Sequence, residues 1–520
     1  MNALAIAPDR PIDLACLGRL AVDLYAEQFG SALEDARSMA MYLGGSSANL
    51  AFGVARLGLQ SAMISRVGNE QMGRYLLQTL AREGCDVSQV QIDPERLTGL
   101  VLLGIKDREQ FPLLFYRENC ADMALDAGGL DESFIARCRA LAITGTHLST
   151  PTTRAAALRA LEMAQKHSVF RVLDIDYRPV LWGLTSRGAG DQRYVPDATV
   201  SAALQAVLPQ FDLLVGTEEE FMIAGGVPGD LLACLRQVRA LTGAVLVLKR
   251  GALGCCVIEG EVPARIEDAP TFLGERVEVL NVLGAGDAFL SGLLASLLQG
   301  KDWGEATRVA NACGALVVSR HACSAAMPTP DELAHWFGGQ RAPRVDTDPE
   351  LVHLHRVTPA RPAWPELCVM AFDHRSQFLD LARQAGAPAS RIPQLKQLLV
   401  RATEQVAALP GSMGRIGVLI DGGDLGRDEA ARGVRHDRAA DRAARHAGAG
   451  ADFHVVLDQH PPRLRHFQMA VRSKENEAVA ILPDAAAGMN QHVVADQRRL
   501  DRAVRRHLGD AGHRPGLADG

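Results

Sequence analysis

Between residues 12 and 337 the chain alternates short apolar runs with amphipathic stretches. Residues 12–20 (IDLACLGRL), 141–149 (LAITGTHLS), 170–175 (FRVLDI), 211–215 (FDLLV) and 244–249 (AVLVLK) are rich in β-branched and apolar residues, as buried strands are. Residues 153–167, 303–318 and 331–337 carry the three-and-four spacing of helices. Strand and helix in turn predict a doubly wound, mostly parallel α/β sheet. Residues 98–105 (TGLVLLGI) and 111–117 (FPLLFYR), divided by the polar KDREQ, predict a β-hairpin outside that alternation.

The stretch with the densest signal is 277–300, VEVLNVLGAGDAFLSGLLASLLQG. Residues 277–282 predict a buried strand, and Gly284, Ala285, Gly286 and Asp287 a tight turn. Phe289, Leu290, Leu293, Leu294, Leu297 and Leu298 predict a long amphipathic helix closed by Gly300. A glycine turn ahead of a helix lets backbone approach a ligand and directs the free N–H groups of the first turn at an anion. A carboxylate in that place suits a general base beside a phosphate. Asp287 is equally an ordinary acidic residue in a helix's first turn.

Composition narrows the class. The 520 residues leave room for two or three domains, and 48% hydrophobic with 22% charged residues is ordinary for a globular protein. A net charge of −6 argues against nucleic acid or an anionic membrane as partner. The N-terminus carries no leader pattern, and no run is long enough to span a bilayer. Ten cysteines without metal spacing read as small core residues in a reducing compartment, so the cytoplasm is the expected location.

Other candidates lie at strand ends and turns. Asp23 follows Gly18 by five residues. Gly44 and Gly45 open a helical pattern in which Ser46, Ser47 and Asn49 are cap or ligand candidates. Asp174 to Arg178 end the 170–175 strand, and Thr217 to Glu220 end the next one, where a carboxylate can hold Mg²⁺.

Taken together these motifs resemble the PfkB (ribokinase-like) carbohydrate kinases over residues 12–337. GGSSAN resembles the family's first signature and LNVLGAGD its second, with Asn281 and Val282 in place of the usual Asp and Thr. The resemblance implies a ribokinase-like sheet with a small β lid formed around 98–117. It implies sugar contacts from Asp23, Gly44, Gly45 and Asn49, catalysis by Asp287 with Gly284, Ala285 and Gly286, and nucleotide contacts from Lys249, Gly251, Gly254 and Asn311. It also implies Mg²⁺ near Glu220 and Thr217, ATP as phosphoryl donor, and a monovalent cation (K⁺) near residues 319–330. Residues 176–182 resemble the segment of keto-deoxygluconate kinases whose arginine meets an acid group. Arg178 and Arg117 therefore point to a sugar acid, and either is also a plausible ion-pair partner. GTEEEF, KRGALG and LNVLGAGDAF most resemble the 5-dehydro-2-deoxygluconokinase branch of myo-inositol catabolism. A 2-keto-3-deoxygluconate kinase and a catalytically silent sensor remain alternatives, and a homodimer through the lid is open.

The expected domains are a kinase at 1–338, a Gly/Pro-rich linker at 339–364 and the opening of an aldolase-like barrel at 365–426. Residues 427–520, dense in Ala, Arg, Asp and His, are expected to be poorly ordered. The tail is thus an incomplete or altered (β/α) barrel-like region, too short for a full barrel of about 200–250 residues, and lyase activity is not expected of it.

Overall fold

The computed structural model describes residues 4–107, 110–339, 344–358, 368–371, 375–407, 416–421 and 454–458. They fall into two compact units, Met1–Arg361 and Pro362–Gly520.

In the first unit the chain lays down β1 (Ile12–Leu17), β2 (Ala21–Ala26), β3 (Met39–Gly44), β4 (Ser61–Gly68), β5 (Val90–Asp93), β6 (Gly99–Leu103) and β7 (Leu113–Tyr116). It continues with β8 (Cys138–Thr144), β9 (Phe170–Asp174), β10 (Leu213–Thr217), β11 (Val245–Lys249), β12 (Cys255–Ile258) and β13 (Thr271–Phe272). Nine of these form one sheet in the order β13-β12-β11-β10-β9-β8-β1-β4-β5. It is parallel from β11 to β5, and only β12 and β13 run against their neighbours. The doubly wound expectation is met, and the apolar runs have a simple cause. On β1, Leu14 and Cys16 enter one core cluster while Ala15 and Leu17 enter another, so both faces are covered and polar Asp13 is confined to the strand's start. Helices Ser46–Arg56, Ala285–Leu298 and Trp303–Val318 cover the first face. Pro151–Lys166, Ala198–Gln205, Glu218–Gly225 and Leu231–Leu241 cover the other.

The remaining strands form a four-stranded sheet, β3-β2-β6-β7, whose β6–β7 pair is the expected hairpin. Its inner face (Tyr25, Val101, Leu103 and Leu113) packs on Leu283, Ala322 and Cys323, which brings this lid over the glycine turn.

Two expectations need correction. Residues 277–282 are not a strand. Val277 packs on the core, Glu278 is exposed beside Arg344, and the N–H groups of Leu280 and Asn281 both donate to Val318 O. The segment pairs with no strand of the sheet, so its β-branched composition, a preference that context overrides, goes unused. The helix Ala285–Leu298 is not amphipathic: every residue from Ala288 to Leu298 is buried. Serines and glycine on its less apolar side face neighbouring helices, with Ser291 Oγ donating to Asp287 O.

The segment read as a linker contains a helix, Pro349–Val357, whose Leu351 is buried in the first unit's core. Arg320 and His355 meet on buried Glu332, and His335 lies 3.3 Å from Asp348. In the second unit, β14 (Cys368–Ala371), β15 (Ile416–Asp421) and β16 (His454–Asp458) form a parallel sheet in that order, with helices Arg375–Gln384 and Ile392–Ala407 between its first two strands. That is the beginning expected of a β/α barrel. Apart from His454–Asp458, the region expected to lack order after Arg427 lies outside the described residues.

Candidate active site

Two helix N-termini meet at the C-terminal edge of the main sheet, and neither is capped by a side chain. Gly45 (φ +98°) precedes the helix Ser46–Arg56, and Gly284 (φ +80°) precedes Ala285–Leu298. Any other residue is strained at both positions. A Cβ at Gly45 would also lie 2.4 Å from Arg19 O, and one at Gly284 2.0 Å from Cys323 Sγ. Ser46 and Ser47, candidate caps in the sequence, cap nothing. The Ser47 hydroxyl donates to Leu17 O and meets Thr144 Oγ1, tying the helix to the ends of β1 and β8.

Asn49 and Asp287, one from each helix, are joined by a 2.7 Å bond from Asn49 Nδ2 to Asp287 Oδ2. Burial, then the nearby Asp176 carboxylate, push Asp287 up to about 6, although Asn49, Lys249 and Arg19 pull it back. Asp23 stands beside it. Burial raises Asp23 to about 7 against the pull of Arg19, and Asp287 adds to the rise. Gly44 is glycine because the Asp23 carboxylate lies 2.1 Å from where its Cβ would be. The structure therefore brings Asp23, Gly44, Gly45, Asn49 and the 284–287 turn together.

Lys249, at the end of β11, approaches from the other side, its Nζ 3.2 Å from where a Gly286 Cβ would lie. The same Nζ donates to Asp174 Oδ1 (3.1 Å) and lies 3.5 Å from Glu220 Oε2. Burial works against the ammonium, but Asp174, Glu220 and Asp287 outweigh it and hold its pKa above the usual range. Burial also raises Asp174, which Lys249 pulls down while Glu220, Asp176 and Asp287 push it further up. We take the lysine as charged, because several carboxylates compete for it and one ionised partner suffices to hold it.

Thr217 and Glu220 form a reciprocal capping box: Glu220 N donates to Thr217 Oγ1, and Thr217 N to Glu220 Oε2. The Thr217 hydroxyl is thus engaged, while the second Glu220 oxygen is not part of the box. Among the described residues no group of three or more His, Cys, Asp or Glu is arranged to hold a metal ion. Gly251 and Gly254 flank a 3-10 turn after β11, with Gly254 (φ +92°) tight against Phe272 O. Asn311 reaches across from the helix Trp303–Val318 to donate to Leu273 O.

The two arginines differ. Arg117, just past β7, is 5% exposed and its Nε donates at 2.8 Å to buried Asp122; its Nη2 has no partner among the described residues. Arg178 is half-buried, lies 3.9 Å from Asp176, and leaves Nη1 unbonded. Asp176 adopts φ +34° and accepts a bond from Thr146 Oγ1. A cavity of about 490 Å³ adjoins Arg117 on the lid side, lined also by Phe115, Tyr116, Met123, Leu181 and Arg187. Its lining includes none of Asp23, Asn49, Lys249 or Asp287.

Sequence reasoning passed over Arg19, His147 and Arg193, and named Asp174 at a strand end without giving it a role of its own. Arg19 lies between Gly18 and Asp23, so position alone could have flagged it. Arg193, in a loop of no recognisable pattern, lies near enough to Arg178 to be drawn down to about 9.

Residues 12–330 match the family described as pfkB family carbohydrate kinase, and residues 332–443 one described as uncharacterized protein conserved in bacteria (DUF2090). A 5-dehydro-2-deoxygluconokinase of Bacillus cereus (strain ZK / E33L) is 34% identical over 342 residues, which are 64% of this chain and 97% of that protein. Among solved structures, a putative ribokinase II from E. coli, in complex with ATP and Mg²⁺, is similar at 22% identity and TM-score 0.55, covering 63% of this chain and 100% of that one. A fructokinase double mutant from Vibrio cholerae O395, in a form with fructose, ADP and potassium ion, is similar at 24% identity and TM-score 0.53 over 63% of this chain and 99% of its own. These two likenesses concern the fold.

Proposed function

This chain belongs to the pfkB family of carbohydrate kinases, and from that premise we propose that it transfers the terminal phosphoryl group of ATP to the primary hydroxyl of a sugar acid. The first candidate is 5-dehydro-2-deoxy-D-gluconate, the acceptor in the name of its 34%-identical relative. The observation that carries the reading is Asp287, half-buried and bonded to Asn49, where two bare helix N-termini meet a lysine.

In this reading Asp287 takes the proton from the attacking hydroxyl, and a pKa of about 6 leaves it ionised at neutral pH while basic enough for the task. The N–H groups of Ala285, Gly286 and Asp287 and the Lys249 ammonium receive the charge on the transferring phosphoryl oxygens. Asp23 and Asn49 hold sugar hydroxyls. A silent sensor would need neither the base nor the lysine beside it.

Magnesium fits the donor chemistry. Asp174, Asp176, Glu220 and Asp287 outnumber the cations around Lys249, and Glu220 keeps an oxygen outside its capping box. Mg²⁺ commonly takes one or two carboxylates with phosphate oxygens and waters, so a three-carboxylate nest is not required. When bound, it would offset phosphate charge. Potassium favours neutral oxygens; no site for it is drawn from these residues and no step is assigned to it.

The kinase unit in this reading ends at Arg361 rather than 338, because the helix Pro349–Val357 is held by Glu332 and the core. A homodimer through the lid is carried by the exposed Met41 and Tyr116 on β3 and β7. A cytoplasmic location rests on the nine cysteines that are free and buried among the described residues. No helix among the described residues is long and apolar enough to cross a membrane.

The test is ADP release from ATP over a panel of 5-dehydro-2-deoxygluconate, 2-keto-3-deoxygluconate and fructose. The highest kcat/KM is expected on 5-dehydro-2-deoxygluconate. Preference for the 2-keto acid would move the substrate within the acids, and preference for fructose would remove the acid reading altogether.

A further inference from the structure

The sugar-facing end of the site holds more buried polar groups than its motifs explain. Atoms without a partner among the described residues include Arg19 Nε, Asn49 Oδ1, Arg117 Nη2, Arg178 Nη1 and both ring nitrogens of His147. Arg19 and His147 have no assigned role. His147 is 0% exposed and lies in the 3-10 turn Gly145–Leu148 that follows β8, at the same sheet edge as Asp23 and Asp287. Its neighbour Thr146 is bonded to Asp176. Arg19 is 8% exposed, between β1 and β2, with its guanidinium 5.6 Å from the centre of the Phe115 ring.

The surroundings define the state of the imidazole. Burial, then the charges of Arg117 and Arg19, depress His147 to about 3, so it is neutral, with one nitrogen a donor and the other an acceptor. Leaving a buried polar group unbonded is costly, and a phenylalanine could fill comparable space without that cost. A neutral donor–acceptor between two guanidinium groups suits a ligand that brings an anion together with a hydroxyl. The Arg19 charge also bears on Asp23 and Asp287, and its Nε is left without a partner among the described residues.

We propose that His147 and Arg19 contact the substrate, completing with Arg117 a pocket for the carboxylate and adjacent hydroxyl of the sugar acid, and thereby set the preference for acids over neutral sugars. One His147 nitrogen donates to a carboxylate oxygen and the other accepts from the hydroxyl. Arg19, its plane steadied by Phe115, supplies a second cationic donor beside Arg117. This rests on the sugar-acid reading and adds two specificity residues to it.

The test uses the full-length protein and ADP release on 5-dehydro-2-deoxygluconate, 2-keto-3-deoxygluconate and fructose, with KM for ATP measured alongside. His147→Phe removes both polar atoms while filling the space, His147→Gln restores a donor and an acceptor, and Arg19→Met keeps the stem without the charge. We expect His147→Phe and Arg19→Met to raise KM for the preferred acid by about tenfold to a hundredfold, with a much smaller change in kcat. His147→Gln should recover most of the loss, fructose should lose far less than the acid, and KM for ATP should hold. Where His147→Phe does not fold, Arg19→Met and His147→Gln decide. Equal losses on acids and fructose, or undiminished kcat/KM on the acid in Arg19→Met, overturn the proposal. A wild-type preference for an acid with insensitive variants overturns the proposal alone. A wild-type preference for fructose overturns the sugar-acid reading and takes the proposal with it.

Discussion

The two sides of the cleft treat their polar groups in opposite ways. On the side of β10 and β11 the protein satisfies itself: Thr217 with Glu220, Lys249 with Asp174, Arg250 with Glu218, Asn311 with Leu273 O. On the side of β1, β8 and the lid, buried Arg19, Asn49, Arg117 and His147 each keep an atom without a partner. Each side contributes one helix with a bare N-terminus. A nucleotide phosphate can be recognised by backbone N–H groups and a positioned charge, whose geometry needs no particular side chain. A sugar is recognised largely by side chains, and in the proposed reading their unbonded atoms are the ones left for it. Asp287 stands where the two meet.

Removing Asp287 should break both sides at once. Asp287→Asn keeps the shape and can still pair with Asn49, but loses the base, and kcat should fall about 10²- to 10⁴-fold. Stability should move the other way. A carboxyl whose folded pKa is raised to about 6 penalises the folded state as pH climbs from its unfolded value near 4 through 6. The variant should therefore be more stable than wild type by about 1–3 kcal/mol at pH 8, with no gain below about pH 4. Thermal melts at both pH values read this directly, and near wild-type turnover in Asp287→Asn would sink the mechanism.

The arginines sharpen the contrast by separating specificity from folding. Arg178→Met should lower kcat/KM for a sugar acid by about tenfold to a few hundredfold while sparing fructose and KM for ATP. Arg117→Met should do the same, but it also strands Asp122, which is 1% exposed. Breaking such a buried pair costs about 3–5 kcal/mol. Arg117→Met with Asp122→Leu should regain stability without regaining acid preference. If acid preference returns with stability, Arg117 only holds the lid together. The sequence suggested one role for the two residues, and the structure sets them in different surroundings, Arg117 in a buried ion pair and Arg178 half-buried 3.9 Å from Asp176.

That difference marks what the sequence could convey. The parallel sheet was legible because burial on both faces forces continuous apolar runs, as on β1 and β9. The Asp287 turn was legible because a strained glycine ahead of a helix leaves few residue choices. The segment 277–282 misled because β-branched composition reports local preference, while a strand also requires a partner edge. Arg117 and Asp122 are five residues apart across an irregular turn, and no spacing rule predicts their pairing. His147 was silent for the same reason, since its neighbours Arg19 and Arg117 come from distant parts of the chain.

pH dependence should divide the cleft again. With Asp287 as base, kcat/KM should fall on acidification through about pH 6, and burial of Asp23, at about 7, should broaden the decline towards neutrality. KM for ATP should change less over the same interval, because the Lys249 ammonium stays charged throughout. An acid limb that survives unchanged in Asp287→Asn would assign it to another group.

The smallest effect tests the self-satisfied side. Thr217 and Glu220 were candidate metal ligands from their position at a strand end, and in the structure they cap the helix Glu218–Gly225. A capping threonine replaced by alanine typically costs about 0.5–2 kcal/mol of stability. If capping is its whole role, Thr217→Ala should lower the melting temperature by a few degrees, about 2–4 °C per kcal/mol for a unit of this size. It should leave kcat and the magnesium concentration for half-maximal rate close to wild type. Glu220→Gln should behave differently, since it weakens the Lys249 cluster and removes a carboxylate from the phosphate side, so its magnesium requirement should rise. Should Thr217→Ala raise that requirement as much as Glu220→Gln does, the threonine hydroxyl reaches the ion in the working enzyme, and the nucleotide side would prove less self-contained than its hydrogen bonds indicate.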